Sequence, residues 1–532
     1  MRQYALLSVS DKTDITVIAQ AFVEQGIQLL STGGTYQALT AAGIPVEAVS
    51  DYTGFPEILD GRVKTLHPKI HGGLLARLDK ASHQKVLEKQ AIVPINYVVV
   101  NLYPFQQVLT APSTSDEEKI ENIDIGGPAL LRSAAKNYER VSVITDVNDY
   151  PTLIQQLKEN GATSLEFRQY LAKKAFQLTA HYDALISHYL KDRVNSQTTF
   201  TPYDWDHVTL TYGDKHPLRY GENAHQAAAF YREVTPPAFS LANARVLHGK
   251  TLSYNNLKDA DAALATVREF DCPAAVGLKH MNPCGVGIGE TIEEAFERCF
   301  SADNVSIYGG IVALNRPVSL ALAEKLAKIF LEIVIAPAFA PEAYERLAKK
   351  KNLRLLTLDF EQKAAVAKEE YVSVSGGLLM QTTDHSPELV DQALTSLPAS
   401  WSVAQGRTPT ASEMRAMNFA MKVVKHVKSN AIVVTNEVMT LGVGAGQPNR
   451  VGAAAIALEM AAKKDPALRE NMVLASDAFL PMADTAELAA KYGVKAIIQP
   501  GGSIHDDDSI AVTQKNNIAM VMTGYRHFRH SS

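Results

Sequence analysis

The residues of this chain best suited to chemistry sit in a few short stretches broken by glycine and proline. Residues 276–287 read Val-Gly-Leu-Lys-His-Met-Asn-Pro-Cys-Gly-Val-Gly. A buried strand over Ala274 to Leu278 runs into Lys279, His280 and Asn282, then breaks at Pro283 and Gly285. That pattern predicts a cation, an imidazole and an amide at the end of a strand, where open α/β sheets bind ligands. Histidine moves protons near neutral pH, and lysine and asparagine stabilise charge developing on an oxygen. Taken alone, a polar loop closing a strand accounts for the same residues. A second stretch of this kind, Lys425-His426 and Ser429-Asn430, leads into a strand over Ala431 to Thr435.

The first third of the chain carries a different set. Between Gly61 and Gly73 lie Arg62, Lys64, Thr65, His67, Lys69 and His71, with no balancing acid. The glycines and Pro68 predict a fixed, anion-binding loop over this whole segment rather than a helix face. Ser8-Val9-Ser10-Asp11-Lys12-Thr13 and Ser31-Thr32-Gly33-Gly34-Thr35 are hydroxyl-rich turns at strand-to-helix junctions. Such turns bind phosphate through backbone N–H groups and helix dipoles, and the same residue types also serve as ordinary helix caps. A strand over Tyr97 to Val100 delivers Asn101, Tyr103 and Pro104, and Asp124-Ile125-Gly126-Gly127-Pro128 opens a helix carrying Arg132 and Lys136. Lys64, Tyr103, Asp124 and Lys136 are all expected at loop ends gathered on one side of a sheet.

The elements that must position these groups alternate. Tyr4 to Val9 reads as a strand, followed by a helix with Ile15, Ile18, Ala19, Phe22 and Val23 on one stripe and a stop at Gly26. Ile27 to Leu30 and Arg140 to Thr145 read as further strands, and residues 147–193 as helical. Strand-helix alternation of this kind predicts a parallel, doubly wound sheet. Residues 197–202, Gln-Thr-Thr-Phe-Thr-Pro, are the clearest candidate linker. Beyond it, Leu218 to Gln226 reads as a loop, and strands are expected within 308–315, 331–337, 473–476 and 495–499. The order His/Asn, Gly-Val-Gly, strand ending in proline occurs twice in this half and points to an internal duplication. Met414, Met417, Met421 and Val424 have the spacing of a core stripe, and Lys422, Lys425 and Lys428 are expected on a solvated face.

With 532 residues and a mass of 57.9 kDa the chain implies two to four domains. Its 46% apolar and 20% charged content reads as globular, and a net charge of −5 argues against general nucleic-acid binding. No apolar run is long enough to span a bilayer, and Met1 to Leu7 enters a strand too directly for a signal peptide. Cys272, Cys284 and Cys299 cannot form a disulfide framework and fit a reducing compartment, so a cytoplasmic protein is expected. His280-Met281-Asn282-Pro283-Cys284 superficially matches the zinc-deaminase pattern H-x-E…P-C-x-x-C, but Asn282 replaces the proton-carrying glutamate and Cys284 lacks its partner thiol. No metal is expected. A zinc-dependent deaminase and a catalytically inactive nucleotide-sensing module are the competing readings.

Several motifs then carry a resemblance along the whole chain. Lys64-Thr65-Leu66-His67-Pro68, Asn101-Leu102-Tyr103-Pro104-Phe105, Asp124-Ile125-Gly126-Gly127, Leu218 to Gln226, Lys279 to Gly285 and Gly444-Ala445-Gly446-Gln447 occur in this order. Together they resemble the bifunctional AICAR formyltransferase/IMP cyclohydrolase family, with one departure: Ala224 stands where the family loop carries proline. The resemblance implies an α/β chain with a methylglyoxal-synthase-like, doubly wound core over 1–146 inside a cyclohydrolase domain over 1–196. It implies a transformylase over 203–532 built from two cytidine-deaminase-like α/β units. It further implies 10-formyltetrahydrofolate as the formyl donor, a homodimer with shared transformylase sites, no membrane partner, and room for a structural monovalent cation. By position, Lys279, His280 and Asn430 would serve formyl transfer, with Arg219, Tyr220, Asn449, Arg450, Phe479, Asp484 and Arg526 as substrate contacts. Lys64, Tyr103, Asp124 and Lys136 would serve cyclisation. Ser10, Lys12, Ser31, Thr32, Gly33, Gly34, Thr35, Arg62, Thr65 and Asn101 would hold the nucleotide.

Overall fold

The computed structural model describes residues 3–195, 207–390 and 394–530. The linker expected at 197–202 lies outside the described residues. The chain divides into two compact units, Met1–Gly213 with Glu233–Thr235, and Asp214–Arg232 with Pro236–Ser532.

The first unit is a parallel sheet of β1 (Tyr4–Val9), β2 (Gln28–Ser31), β3 (Glu47–Ala48), β4 (Ile95–Asn101) and β5 (Ser142–Ile144) in the order β3-β2-β1-β4-β5. Its helices are α1 (Ile15–Glu24), α2 (Gly33–Ala41), α3 (Val49–Thr53), α4 (Pro68–Leu75), α5 (Ala81–Lys89), α6 (Phe105–Thr110), α7 (Asp116–Glu121), α8 (Gly126–Lys136), α9 (Tyr150–Asn160) and α10 (Leu165–Asn195). Leu6, Leu30, Val98 and Val143, from four parallel strands, are buried with Ile18 and Phe22 of α1 and Leu131 of α8 in one core. The apolar runs of these strands follow from burial on both faces. The strand order reverses between β1 and β4, and in such sheets the crevice beyond the carboxyl ends of those two strands is the ligand site. The segment from Pro68 differs from expectation, because α4 replaces the second half of the predicted loop. Pro68 stands in its first turn, and His67 caps it by accepting the Lys69 N–H at 3.1 Å. The glycines inside it serve packing, since a Cβ on Gly73 would stand 2.7 Å from the Val93 carbonyl oxygen.

The second unit opens with the hairpin β6 (Gly213–Leu218) and β7 (Ala228–Arg232). Its first half then runs β8 (Arg245–His248), α11 (Tyr254–Val267), β9 (Ala274–Lys279), β10 (Asn282–Ile288), α12 (Ile292–Ala302), β11 (Ile311–Leu314), α13 (Leu320–Ala327), β12 (Ile333–Ala336), α14 (Pro341–Ala348) and β13 (Arg354–Thr357). After a separate hairpin, β14 (Glu369–Val374) and β15 (Gly377–Thr382), the second half repeats the order. It consists of β16 (Ser402–Val403), α15 (Ala411–Val424), β17 (Ile432–Thr435), β18 (Thr440–Gly444), α16 (Arg450–Ala462), β19 (Val473–Ser476), α17 (Asp484–Lys491), β20 (Ala496–Gln499), α18 (Asp506–Lys515) and β21 (Ala519–Met522). The sheets, β10-β9-β11-β12-β13-β8 and β18-β17-β19-β20-β21-β16, match strand for strand and in every parallel or antiparallel pairing. The duplication expected from the sequence is present in the topology. The repeated Gly-Val-Gly has a packing reason in both copies. A Cβ on Gly287 would lie 2.4 Å from the Ala295 carbonyl oxygen of α12, and one on Gly444 would lie 1.9 Å from that of Ala453 of α16.

The two middle helices, α11 and α15, share one core with the inner faces of both sheets. Met414, Met417, Met421 and Val424 are buried there as expected. The same position overturns the solvated face: Lys422 and Lys425 are only 6% and 7% exposed. Their ammonium groups reach Glu269, Lys422 at the backbone carbonyl (2.9 Å) and Lys425 at the carboxylate (3.2 Å). Only Lys428, beyond the helix, is open to solvent.

Candidate active sites

In the first unit the site forms where the sheet order reverses. Asn101, at the end of β4, accepts the backbone N–H groups of Ser10 and Asp11 at 2.6 and 3.0 Å and donates to the Asp11 carbonyl at 3.0 Å. Its carboxamide therefore sets the loop after β1. Ser31 is buried with its hydroxyl donating to the Leu7 carbonyl (2.7 Å), and Thr35 both accepts from and donates to the Val9 backbone at 3.0 Å. These two hydroxyls fix the end of β2 and the start of α2 against β1 and do not face the crevice. Thr32 stands at the N-cap position of α2 without a side-chain capping bond, and the Gly33-Gly34 start of the helix lies under two ammonium groups. Cβ positions built there come within 3.6 Å of Lys64 Nζ and 3.5 Å of Lys12 Nζ. A helix amino end with two cations over it is an anion seat.

Lys64 also lies 3.4 Å from Glu57, while Arg62 turns outward to Glu121 at 2.9 Å. Asp124 accepts the Gly127 N–H at 2.8 Å at the start of α8, and buried Thr65 packs against Gly126. Burial pushes the Asp124 carboxyl above its ordinary range, against the pull of the Gly127 and Tyr103 amides and the Lys64 charge. Lys64, Asp124 and the Tyr103 backbone amide thus converge, with the Tyr103 side chain exposed beside them. Lys136 does not join them within this chain. It ends α8, ten residues beyond Gly126, which at about 1.5 Å per residue is roughly 15 Å away along the axis. There it lines a separate groove with Arg132, Lys173 and Phe176.

In the second unit Lys279 and His280 do not end at a broken strand. The chain turns back as a hairpin into β10, and Pro283 is accommodated at a register shift on this edge of its sheet. His280 and Met281 occupy the turn with φ of +52° and +61°, the pair of left-handed residues that a two-residue hairpin turn requires. For side chains with a Cβ this conformation is strained. Asp259 of α11 holds it by accepting the Met281 N–H at 2.8 Å. Burial raises the Asp259 carboxyl against the pull of the Met281 amide and the His280 charge. The turn sends the two neighbours to different faces. Lys279 points to the α12 side and donates to the Tyr308 carbonyl at 2.8 Å, whereas His280 faces a cavity of about 480 Å³. That cavity is lined by Glu222, Lys258, Asp259, Asn282, Lys428 and Arg529 among others.

Asn430 reaches this region from the other half, at the amino end of β17, and the Ser429–Asn430 peptide bond is cis. Asn430 Nδ2 donates to the Gln447 carbonyl at 2.9 Å and Oδ1 accepts from Arg450 at 2.7 Å. Arg450 is a buried ion-pair partner of Asp477, also bonded to Ser476 at 3.0 Å, so it orients Asn430 and has no free fork for a phosphate. Asn449 caps α16 by accepting the Gly452 N–H at 2.7 Å. Because β19 runs antiparallel to β17, the carboxyl ends of β19 to β21 lie beside Asn430 and bring Phe479, Asp484 and the Arg526 segment to that edge. Arg526 stacks on Phe528 at 4.4 Å, and Arg219 on Tyr220 at 5.6 Å. The loop bearing Arg219 and Tyr220 reaches the cavity through Glu222. Ala224 does not loosen it, since Gly221 N–H donates to the Gln226 carbonyl and Asn223 N–H to Gln226 Oε1, both at 2.8 Å.

Asp259, Lys428 and Arg529 were not singled out from the sequence. Their signals are thin: an aspartate one helical turn past the Asn255-Asn256 start of a helix, a lysine read only as part of a solvated face although it adjoins Ser429-Asn430, and an arginine near the end of the sequence. Among the described residues no group of three or more His, Cys, Asp or Glu is arranged to hold a metal ion, and no helix is long and apolar enough to cross a membrane.

The AICARFT/IMPCHase bienzyme family model matches residues 134–460, and that of the MGS-like domain matches residues 14–129. The chain is 53% identical to the bifunctional purine biosynthesis protein PurH of Lactobacillus acidophilus and 55% identical to that of Listeria innocua, over 99% of each chain in both cases. It is 53% identical to the Enterococcus faecalis protein of the same name over 100% of both chains. An MGS-like unit joined to a duplicated α/β unit, matched end to end by these relatives, places the chain in the AICARFT/IMPCHase bienzyme family, and it is a bifunctional formyltransferase and IMP cyclohydrolase of purine biosynthesis.

Proposed function

We propose that formyl transfer takes place at the His280 cavity and ring closure at the crevice between β1 and β4. The division places the cyclohydrolase over 1–196 and the transformylase over 203–532. The observation that carries it is the left-handed turn that presents His280 to a cation-lined cavity, while Lys64, Tyr103 and Asp124 meet separately above a helix amino end.

In formyl transfer the 5-amino group of AICAR attacks the formyl carbon of 10-formyltetrahydrofolate. That amine is a weak nucleophile, so His280 takes its proton as the new C–N bond forms. The second Nδ2 hydrogen of Asn430 is the donor assigned to the oxyanion, and the bond to the folate nitrogen breaks as that nitrogen is protonated; Lys279, turned to the other face and bonded to the Tyr308 carbonyl, is left out of this cavity. Arg219, Tyr220, Asp484 and Arg526 contact substrate. In ring closure the carboxamide nitrogen attacks the formyl group of the same molecule and water leaves, so positioning supplies much of the acceleration. Lys64 and Tyr103 stabilise the oxygen anion, Asp124 moves the proton, and Lys12 with the α2 amino end holds phosphate. Lys136 is left out of this chain's own ring-closure site.

The reading includes a homodimer with shared transformylase sites and a cytoplasmic setting. The test is IMP formation by the full-length enzyme from AICAR and 10-formyltetrahydrofolate, compared with its formation from supplied formylated nucleotide. Stoichiometric zinc with deamination and no formyl transfer would instead favour a deaminase.

A further inference from the structure

Behind the His280 cavity runs a chain of polar groups that neither reaction, as set out above, uses. Arg529 in the cavity wall donates from Nη1 to His426 Nδ1 at 3.1 Å. His426 Nε2 lies 2.9 Å from Glu269 Oε1, and the same oxygen takes the Lys425 ammonium at 3.2 Å. A guanidinium can only donate, so Nδ1 is the bare nitrogen of His426 and Nε2 carries the proton given to Glu269. The imidazole is therefore neutral, in keeping with burial that pushes its pKa down to about 4. On Glu269 burial acts upward, but the His426 bond and the Lys425 charge outweigh it and hold the carboxyl well below its ordinary range. Asp261 and Glu370 are the other charges acting on Arg529.

The duplication explains why these groups meet. Glu269 follows the last residue of α11, Val267, by two positions, and His426 follows the last residue of α15, Val424, by two. They are equivalent positions of the two halves, brought face to face where the paired middle helices end. One copy carries the acid and the other the imidazole, and only the second points onward to the cavity.

We propose that His426 is a positioning residue for formyl transfer: anchored by Glu269, it holds Arg529 in the cavity wall so that the remaining guanidinium donors meet an anionic oxygen of a bound substrate, a phosphate or a carboxylate. This rests on assigning formyl transfer to the His280 cavity. The experiment is steady-state formyl transfer by the full-length enzyme with each substrate varied in turn. His426→Leu raises one KM about tenfold, the size of one charge-assisted hydrogen bond, and leaves kcat within about threefold. A rise confined to the nucleotide KM identifies the phosphate, and one confined to the folate KM identifies a carboxylate. His426→Gln, whose amide can still donate to Glu269 and accept from Arg529, keeps KM near the parent value. Arg529→Ala raises the same KM, and His426→Leu adds nothing to it in the double variant. If Arg529→Ala leaves both KM values unchanged, or if the two effects multiply, the proposal is wrong, and the first result decides even where His426→Leu fails to fold. A parent enzyme without formyl transfer would overturn the site assignment instead.

Discussion

Asn282 Oδ1 accepts the backbone N–H of Lys428 at 2.9 Å, and its Nδ2 donates to the His280 carbonyl at 3.0 Å. One carboxamide thus ties the hairpin turn of the first half to the segment that carries Asn430 in the second. Asn282→Ala unties the turn, and formyl transfer falls about tenfold, the cost of one or two hydrogen bonds that orient a reacting group. Ring closure of supplied formylated nucleotide is unchanged. Parallel assays of the two half-reactions check this.

On the proposed assignment of Asp124 to ring closure, its raised carboxyl sets the acid limb of that reaction. It must be ionised to accept a proton, so activity is lost as pH falls through a pKa above the ordinary carboxylate range. Asp124→Asn removes that limb along with most of the rate. A pH profile of ring closure that breaks at an ordinary carboxylate value would contradict the burial argument.

Arg450 and Asp477 form an ion pair that is 4% and 0% exposed. Arg450→Met leaves the aspartate buried without its partner, at a cost of about 3–5 kcal/mol, and frees Asn430 to rotate. Thermal melting shows the loss, and formyl transfer falls further than the loss of folded protein explains.

His527 is buried between Asp384 (2.8 Å) and Glu388 (2.7 Å). Burial opposes its charge, but the two carboxylates prevail and raise its pKa to about 9 from 6.5. A folded-state pKa above the unfolded one gives stability that is complete below about pH 6.5 and lost as pH rises through about 9, on the order of 3 kcal/mol. The melting temperature of the parent therefore falls across that window more steeply than that of His527→Gln. Equal slopes would show that the histidine is not charged in the fold.

Much of this was legible in the sequence because the signals are local. Hydroxyl-rich turns mark the ends of β1 and β2, and the repeated Gly-Val-Gly marks two equivalent strands. What the sequence misplaced depends on packing between distant elements. Lys422 and Lys425 read as a solvated stripe because nothing local tells that α15 is covered on both sides by sheets. Lys279 and His280 read as one polar cluster because the hairpin that separates their faces needs two left-handed residues without glycine, and Asp259, some twenty positions earlier, is what allows it. Arg450 is expected among the substrate contacts, and nothing local announces its buried ion pair with Asp477, 27 positions along the chain. Lys136 read as a neighbour of Asp124 because both are expected at loop ends on one side of the sheet; Asp124 instead precedes α8 and Lys136 ends it, so the length of that helix separates them.

The most direct test of the two-site account is His280→Ala assayed for both half-reactions. Formyl transfer from 10-formyltetrahydrofolate to AICAR is expected to fall by at least about a hundredfold, as for loss of a general base, with ring closure of supplied formylated nucleotide at the parent rate. A folded variant in which both activities fall together, or in which formyl transfer persists, would contradict it.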